Sequence, residues 1–513
     1  MSVISTNNGL KQYLSNLSKG RSATPRSWLY ESKEPDQILN DWLHILSRLS
    51  NGSTTDKSVY QFDTSQLKKW GPQGKVLPIE QLLSDIVLPT FSSGSSKPEG
   101  FTTRAWSTAK TNSLRQLFQY GVMSLRPASY SNVVTDMRAR DTLESNSGWP
   151  AFSRRKRPEV LSAAINDASN LAWMDYPAIA LFRNYNQKTR LVWMFPEATN
   201  IYEGSFCQPV QSRIINSRLP FFAPWKGFDE VRQLVTAAYD QNYFLTASDF
   251  SSTDAHFQVD STLEVFDVLK NVFQKAYAGG LRTSLRRMHE IPLIIGRDKM
   301  ITGKHGVSSG SNWTNFVETV FDFILSNYVA VVTKGAVKGL CAIGDDMCWI
   351  SPKFNDDLHK DLEHFGAEVG QVINAEKVTN KENEVKFLQR LFIRGYRRQD
   401  GLLRGVYSTV RALKSLVYPE RFHKPASWSS DMFCARQFMI LENCVDHPLF
   451  EEFVKYVVHG HRDLIPFARK SPMELHKIFR ESKLLPGLNP TYNQEKRDSS
   501  LANFESVKLA QRF

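Results

Sequence analysis

The sequence predicts an α+β fold, and three segments in its middle third carry that prediction. Tyr243 to Ala247 (YFLTA) reads as a short buried strand that ends at Ser248-Asp249. Leu340 to Ile343 and Met347 to Ile350 are apolar runs separated by Gly344-Asp345-Asp346, the pattern of a β-hairpin with acids at its tip. Between them a Gly/Ser-rich loop, Gly303 to Ser311, leads into Trp313, Phe316, Val317, Val320, Phe321 and Ile324, which recur at helical spacing. One face of that helix is buried, and the pattern predicts an end near Lys334-Gly335.

The rest of the chain sets bounds. At 513 residues it is too long for one hydrophobic core and predicts two to four packed units. The net charge of +12 points to a polyanionic partner, without separating RNA from DNA or a membrane surface. Cys207, Cys341, Cys348, Cys434 and Cys444 are odd in number and have no C-x-x-C spacing, which argues against a disulfide framework or a zinc ribbon and for a reducing compartment. His256, His289 and His305 lack ligand spacing, and Cys341 and Cys348 are expected to pack within the hairpin. The first residues, Met-Ser-Val-Ile-Ser-Thr-Asn-Asn, are too polar for a signal peptide, and no apolar run approaches the length of a membrane span. Ser50 to Ser58 and Ser92 to Gly100 read as loops, and Pro490 to Phe513 as a mobile tail.

The acids carry the chemistry. Two-metal nucleotidyl transfer needs two divalent cations about 4 Å apart, held by carboxylates on rigid backbone that stays open to solvent. A strand end with Asp249 and a hairpin tip with Asp345 and Asp346 supply this. Gly344 allows a positive φ at the tip and leaves room for phosphates. Gly-Asp-Asp alone is also a plain turn, and Asp254 alone is also a helix cap or surface charge. Ser309-Gly310-Ser-Asn-Trp-Thr314-Asn315 offers small polar groups and free backbone N–H groups at a helix start, and is equally a plain cap. The order Asp-x4-Asp, Ser-Gly-x3-Thr, Gly-Asp-Asp is not explained by caps and turns. Its spacings, 60 residues from Asp249 to Ser309 and 35 from Ser309 to Gly344, suit one packed unit.

These segments resemble motifs A (Asp249 to Asp254), B (Ser309 to Asn315) and C (Gly344 to Asp346) of the palm-domain RNA polymerases of RNA viruses. The similarity is closer to the polymerases of picobirnaviruses and, more loosely, partitiviruses, and covers roughly residues 100 to 420. Asn146-Ser147-Gly148-Trp149-Pro150 resembles motif G, which lines the template path. Arg183, Lys188 and Arg190 resemble motif F, whose cations hold the triphosphate. Lys377 stands where motif D places a lysine proposed to protonate pyrophosphate. Phe387-Leu388-Gln389-Arg390 resembles motif E, beside the nascent strand.

The resemblance implies a right-hand polymerase of fingers, palm and thumb, with an antiparallel palm sheet backed by helices in a closed ring. Residues 1–65 are expected to bridge fingers and thumb, 66–230 to form fingers, 231–257 palm, 258–304 a fingers insertion, 305–400 palm, and 401–513 thumb and tail. Asp249, Asp345 and Asp346 would bind magnesium, with manganese as the alternative. Asp254 with Asn315 would read the ribose, and Ser309, Gly310 and Thr314 would contact nucleotide and template. The implied partners are single-stranded RNA template, nascent duplex, ribonucleoside triphosphates and a capsid protein. The enzyme is expected to be a monomer, off the membrane, in the virion interior and host cytoplasm, serving a segmented double-stranded RNA genome. One departure stands at Glu318, where many positive-strand viral polymerases have Asn; here an Asn follows the motif B threonine directly, as Asn315.

Two other readings compete. A reverse transcriptase usually has an aromatic two positions before the paired aspartates, where this chain has Ile343, and one near Ser251. A non-catalytic RNA-binding, capsid-associated protein would have lost one of the three acids. A dinucleotide-binding enzyme is a poor reading, because no Gly-x-Gly-x-x-Gly follows a strand.

Overall fold

The computed structural model describes residues 2–91, 96–374, 378–421, 428–485, 488 and 500–513. The chain divides into two compact units. The first comprises Met1–Gly20, Leu77–Phe182 and Arg190–Phe387, and the second Arg21–Val76, Arg183–Thr189 and Leu388–Phe513.

The strands of the first unit are, in chain order, β1 (Ala178–Tyr185), β2 (Lys188–Met194), β3 (Phe244–Asp249), β4 (Leu293–Gly296), β5 (Lys299–Ile301), β6 (Lys338–Ile343), β7 (Asp346–Ser351), β8 (Thr379–Asn380) and β9 (Glu384–Phe387). The outer ends of β1 and β2, from Arg183 to Thr189, are counted with the second unit. One sheet has the order β2-β1-β4-β5. The central sheet has the order β6-β7-β3-β8 and every pairing in it is antiparallel. β3 and β7 stay in register over their whole length, from Phe244 opposite Ser351 to Asp249 opposite Asp346. The predicted strand and hairpin are thus present, each slightly longer than its apolar run. Cys341 and Cys348 face each other across the hairpin, buried and unbridged, as predicted.

Three long helices belong to the same unit: α1 (Arg104–Gln119), α2 (Glu197–Asn216) and α3 (Thr314–Val332). α3 packs against α1 and β6. Trp106, Trp313, Phe316, Phe321 and Trp349 fill the core around it, each side chain contributing ~1.5–3 kcal/mol by leaving water. α3 ends two residues before the predicted stop. Lys334 and Gly335 take positive φ of 52° and 84°, and the Gly335 N–H closes on Ala330 O at 2.7 Å, a left-handed exit that satisfies a terminal carbonyl. α2 contains Pro209 without breaking. The Ser205 carbonyl that proline cannot serve accepts the Ala128 N–H at 2.7 Å.

Three expectations need correction. By length and apolar composition, α3 alone among the described residues is able to cross a bilayer, so an apolar segment of that length does exist. It sits in a protein core, with Glu318 and Asp322 among its 13 buried residues. Ser50 to Ser58 is loop only at Gly52 and Ser53: a 3-10 helix ends at Asn51, and Ser53 and Asp56 form a reciprocal capping box that starts a helix at Thr54. Of the C-terminal tail, residues 500–513 are folded into the second unit. Glu442 accepts the N–H groups of Glu505 and Ser506, both at 2.9 Å, at the start of the helix Glu505–Ala510, and Leu501, Phe504 and Val507 are buried.

The second unit is mostly helical, with Trp42, Tyr407, Leu413, Phe433 and Phe453 in its core. Residues 21–76 share that core with residues 388–513. Asp63, fully buried, accepts from Ser408 Oγ (2.5 Å), Thr409 Oγ1 (2.8 Å) and Val410 N (3.0 Å), and lies 2.7 Å from His447 Nε2.

Candidate active site

β3 delivers Asp249 directly opposite Asp346 on β7. Residues so paired in an antiparallel ladder have Cα atoms about 4.5–5.5 Å apart. Asp345 sits in the turn between β6 and β7, and Thr253 Oγ1 donates to its Oδ2 at 3.0 Å. Burial, and behind it the charge of Asp249, raise the Asp345 pKa above the usual carboxylate value; the Thr253 hydrogen bond and the positive charge of Arg190 pull the other way. Asp254 follows on the short helix Thr253–His256, entered through Ser252 at φ +53°.

α3 holds the turn from behind. The Gly344 N–H donates to Thr319 Oγ1 at 2.8 Å, and Thr319 Oγ1 donates to Asn315 O at 2.7 Å. Gly344 has φ +60°, and a Cβ there would lie 2.2 Å from Asn315 Oδ1. The positive φ is what favours glycine there, since Asn315 Oδ1 is the end of an exposed side chain that can turn aside. One and two turns into α3, Glu318 and Asp322 are buried on the same side. Burial first, and then the charges of Asp345, Asp254, Asp322 and Asp346, raise the Glu318 pKa well above the usual range. Asp322 is raised by burial and then by Asp345 and Asp346, and neither of its oxygens has a hydrogen-bond partner among the described residues. Sequence reasoning treated 318 only as a departure and passed over 322. The available signal was two acids at i and i+4 in an otherwise apolar helix.

The loops fit closely around this centre. A Cβ on Gly306 would lie 1.8 Å from Asp254 O, and one on Gly310 would lie 1.6 Å from Trp193 O. Ser309 is exposed and donates to Leu191 O at 3.4 Å, Thr314 Oγ1 donates to Ser308 O at 2.6 Å, and Asn315 is exposed. Ser147 and Gly148 are buried. Ser147 Oγ accepts from Ser153 N at 3.1 Å, and Gly148, at φ +65°, lies against the Phe195 carbonyl. Pro150 O accepts from Asn7 Nδ2 at 3.4 Å.

The other sequence-derived candidates are placed differently. Arg183 and Lys188 are counted with the second unit. Arg183 makes a bidentate pair with Glu420, both contacts at 2.7 Å, whereas Lys188 is exposed. Phe387 is buried, and Leu388 turns at φ +52°. Arg390 is buried and donates to Gly405 O (3.0 Å) and Asn443 O (2.9 Å). Lys377 lies outside the described residues. His289 and His305 are buried and hydrogen-bonded.

The acids fit divalent cations. Asp345 is buried beside a second carboxylate, which raises the cost of its charge until a cation joins them, and carboxylate oxygens are the ligands magnesium prefers. Magnesium takes only one or two carboxylates and fills its shell with phosphates and water. Among the described residues, no three acidic, histidine or cysteine side chains form a ready-made cage.

Strand-end and hairpin-tip acids on an antiparallel sheet, backed by a helix, define a right-hand nucleic-acid polymerase. Residues 185–423 match the family described as viral RNA-dependent RNA polymerase. The chain is 29% identical over 492 residues to a potential RNA-dependent RNA polymerase of human picobirnavirus (strain Human/Thailand/Hy005102/-), covering 88% of this chain and 85% of that one. It is 23% identical over 207 residues to the RNA-directed RNA polymerase of Cryptosporidium parvum virus 1 (strain KSU-1), covering 39% and 38% of the two chains. The crystal structure of a human picobirnavirus RNA-dependent RNA polymerase superposes with a TM-score of 0.81 at 26% identity, over 99% of this chain and 97% of that one. The chain is thus similar to the viral RNA-dependent RNA polymerases, with relatives in double-stranded RNA viruses. It is an RNA-directed nucleotidyltransferase, of a family that generally uses divalent metal, an RNA template and nucleoside triphosphates.

Proposed function

We propose that Asp249 and Asp345, assisted by Asp346, hold the two divalent ions of nucleotidyl transfer. Magnesium is the resident metal, and manganese substitutes for it. When bound, the ions lower the pKa of the attacking 3′-hydroxyl and neutralise the departing pyrophosphate. The observation that carries the assignment is Asp249 facing Asp346 across the ladder while its charge acts on Asp345.

The remaining roles come from the chemistry of each side chain. Asp254 and Asn315 take the ribose hydroxyls. Arg190 and Lys188 hold the triphosphate, and Lys377 gives its proton to pyrophosphate. Ser309, Gly310 and Thr314 shape the template and nucleotide surface, residues 147–150 line the template path, and Phe387-Leu388 supports the nascent strand. Arg183 and Arg390, occupied by Glu420 and by the carbonyls of Gly405 and Asn443, shape their own loops and leave RNA contacts to others. The enzyme works as a monomer in the virion interior and host cytoplasm beside its capsid protein, and copies a segmented double-stranded genome. The expected fingers, palm and thumb boundaries, and the closed ring, belong to the same proposal.

Purified protein, single-stranded RNA, four ribonucleotides and magnesium or manganese, with and without primer, test the reading. Metal-dependent RNA synthesis is expected, and Asp345→Ala abolishes it in a chain that still folds. Turnover at the wild-type level in that variant overturns the metal assignment. Asn315→Asp is expected to change ribo- against deoxynucleotide discrimination; unchanged discrimination removes Asn315 from that role.

A further inference from the structure

Two loops of the proposed RNA path, the one at 146–150 and the one at 309–312, meet on a single residue. Asn200, buried in the first turn of α2, accepts from Arg155 Nη2 through Oδ1 at 2.9 Å. Its Nδ2 donates to Gly310 O at 3.1 Å and to Glu203 Oε1 at 3.0 Å. Its carbonyl accepts from Asn312 Nδ2 at 2.9 Å. Both side-chain polar atoms are therefore used. On one side, Arg155 Nε donates to Asn146 O at 3.0 Å, and Glu197 N donates to Ser147 O at 2.8 Å. On the other, Ser311 Oγ donates to Glu203 Oε2 and accepts from Trp313 N at 3.1 Å.

The loops are also fitted to the backbone leading into α2. A Cβ on Gly148 would lie 2.6 Å from Phe195 O, and a Cβ on Gly310 would lie 1.6 Å from Trp193 O. The Arg155 guanidinium lies within electrostatic reach of the Glu197 and Glu203 carboxylates, both of which burial pushes up to about 7. Such buried polar groups are costly to leave unpaired, so the two loops cannot move apart without breaking the whole set.

We infer that Asn200 is a positioning residue that locks the 146–150 loop to the 309–312 loop, so that the two present one rigid surface to single-stranded RNA. The inference rests on the assignment of both loops to RNA. Asn200, Arg155 and Ser311 act through the loops they hold.

The test reads RNA binding apart from catalysis. Fluorescently labelled single-stranded RNA is titrated with the full chain, without nucleotides, for wild type, Arg155→Gln, Ser311→Ala and the double variant, with thermal unfolding followed in parallel. Asn200→Ser serves as a fifth protein. Each single change is expected to weaken binding about fivefold or more. The double variant is expected to fall well short of the product of the two, because either change already breaks the same link. Template KM should rise in step while kcat changes less than about twofold. Unchanged RNA affinity in the single variants overturns the inference, and so does a double variant equal to the product. If Asn200→Ser fails to fold, the Arg155 and Ser311 cycle decides alone. A wild type that binds RNA but synthesises none counts against the polymerase assignment, and the binding cycle still decides the link.

Discussion

The Thr319 hydroxyl accepts the backbone N–H of Gly344 at 2.8 Å, which ties the helix behind the sheet to the turn that carries Asp345 and Asp346. The same oxygen accepts from Trp225 Nε1 at 3.3 Å and donates to Asn315 O. The side chain is fully buried, so no water replaces it. Thr319→Val keeps the volume and strands the Gly344 N–H. A loss of ~1–3 kcal/mol of stability is expected. Because the turn is then less well held, kcat should fall more than nucleotide KM rises. Denaturant unfolding and steady-state kinetics check both, and a wild-type kcat in a destabilised protein would falsify the positioning role.

Gly306 presses on the backbone of Asp254, where a Cβ would lie 1.8 Å from the carbonyl oxygen. The obstruction is main chain, so a larger residue must move either the loop or the short helix Thr253–His256. Gly306→Ala is expected to cost ~1–3 kcal/mol and to reduce activity through displacement of Asp254. A crystal structure of the variant with Asp254 unmoved and full turnover would remove this link.

How far the sequence reaches is visible in these residues. The places of Asp249, Asp345 and Asp346 at a strand end and a hairpin turn were legible because strand periodicity and turn residues are local signals. Asn200 and Thr319 were not, because their roles come from contacts across more than 20 residues of sequence with nothing local to mark them. Arg183 was read as a triphosphate contact and Arg390 as a nascent-strand contact because a cation in a string of motifs looks the same whether it faces solvent or a buried partner. Glu420 and Asn443, which hold them, lie far along the chain. The C-terminal residues looked like a tail because their composition is polar, while the apolar face of Leu501, Phe504 and Val507 is too short to stand out.

Asp322 carries two buried oxygens with no hydrogen-bond partner among the described residues, within reach of the charges of Asp345 and Asp346. Burial first, then those charges, raise its pKa above the unfolded value. Folding is therefore favoured while the group is protonated, and this contribution is lost as pH rises from the usual carboxylate range towards the folded pKa. Asp322→Asn removes that dependence. In metal-free buffer the variant should gain stability on wild type as pH rises, and converge with it in acid. Parallel unfolding curves across pH would show that Asp322 is not the source.

His289 shifts the other way. Its Nδ1 lies 3.0 Å from the His305 carbonyl and its Nε2 lies 2.7 Å from the Thr262 hydroxyl. A carbonyl only accepts, so Nδ1 bears the proton and Nε2 accepts from Thr262. A second proton would reverse the Thr262 bond, making the hydroxyl accept, and burial above all lowers the pKa to about 3. In the unfolded chain histidine titrates near ~6.5. The stability this neutral imidazole supports is present above that pH and is lost as pH falls towards about 3, at up to ~1.4 kcal/mol per pH unit. His289 and His305 anchor the loop that brings Gly306 to Asp254, so acid should loosen the site before the rest of the unit. His289→Gln is expected to be less stable than wild type at pH ~8, with the gap narrowing steadily below ~6.5. Chemical denaturation at a series of pH values measures the gap, and a gap of constant size would assign the acid sensitivity to other groups.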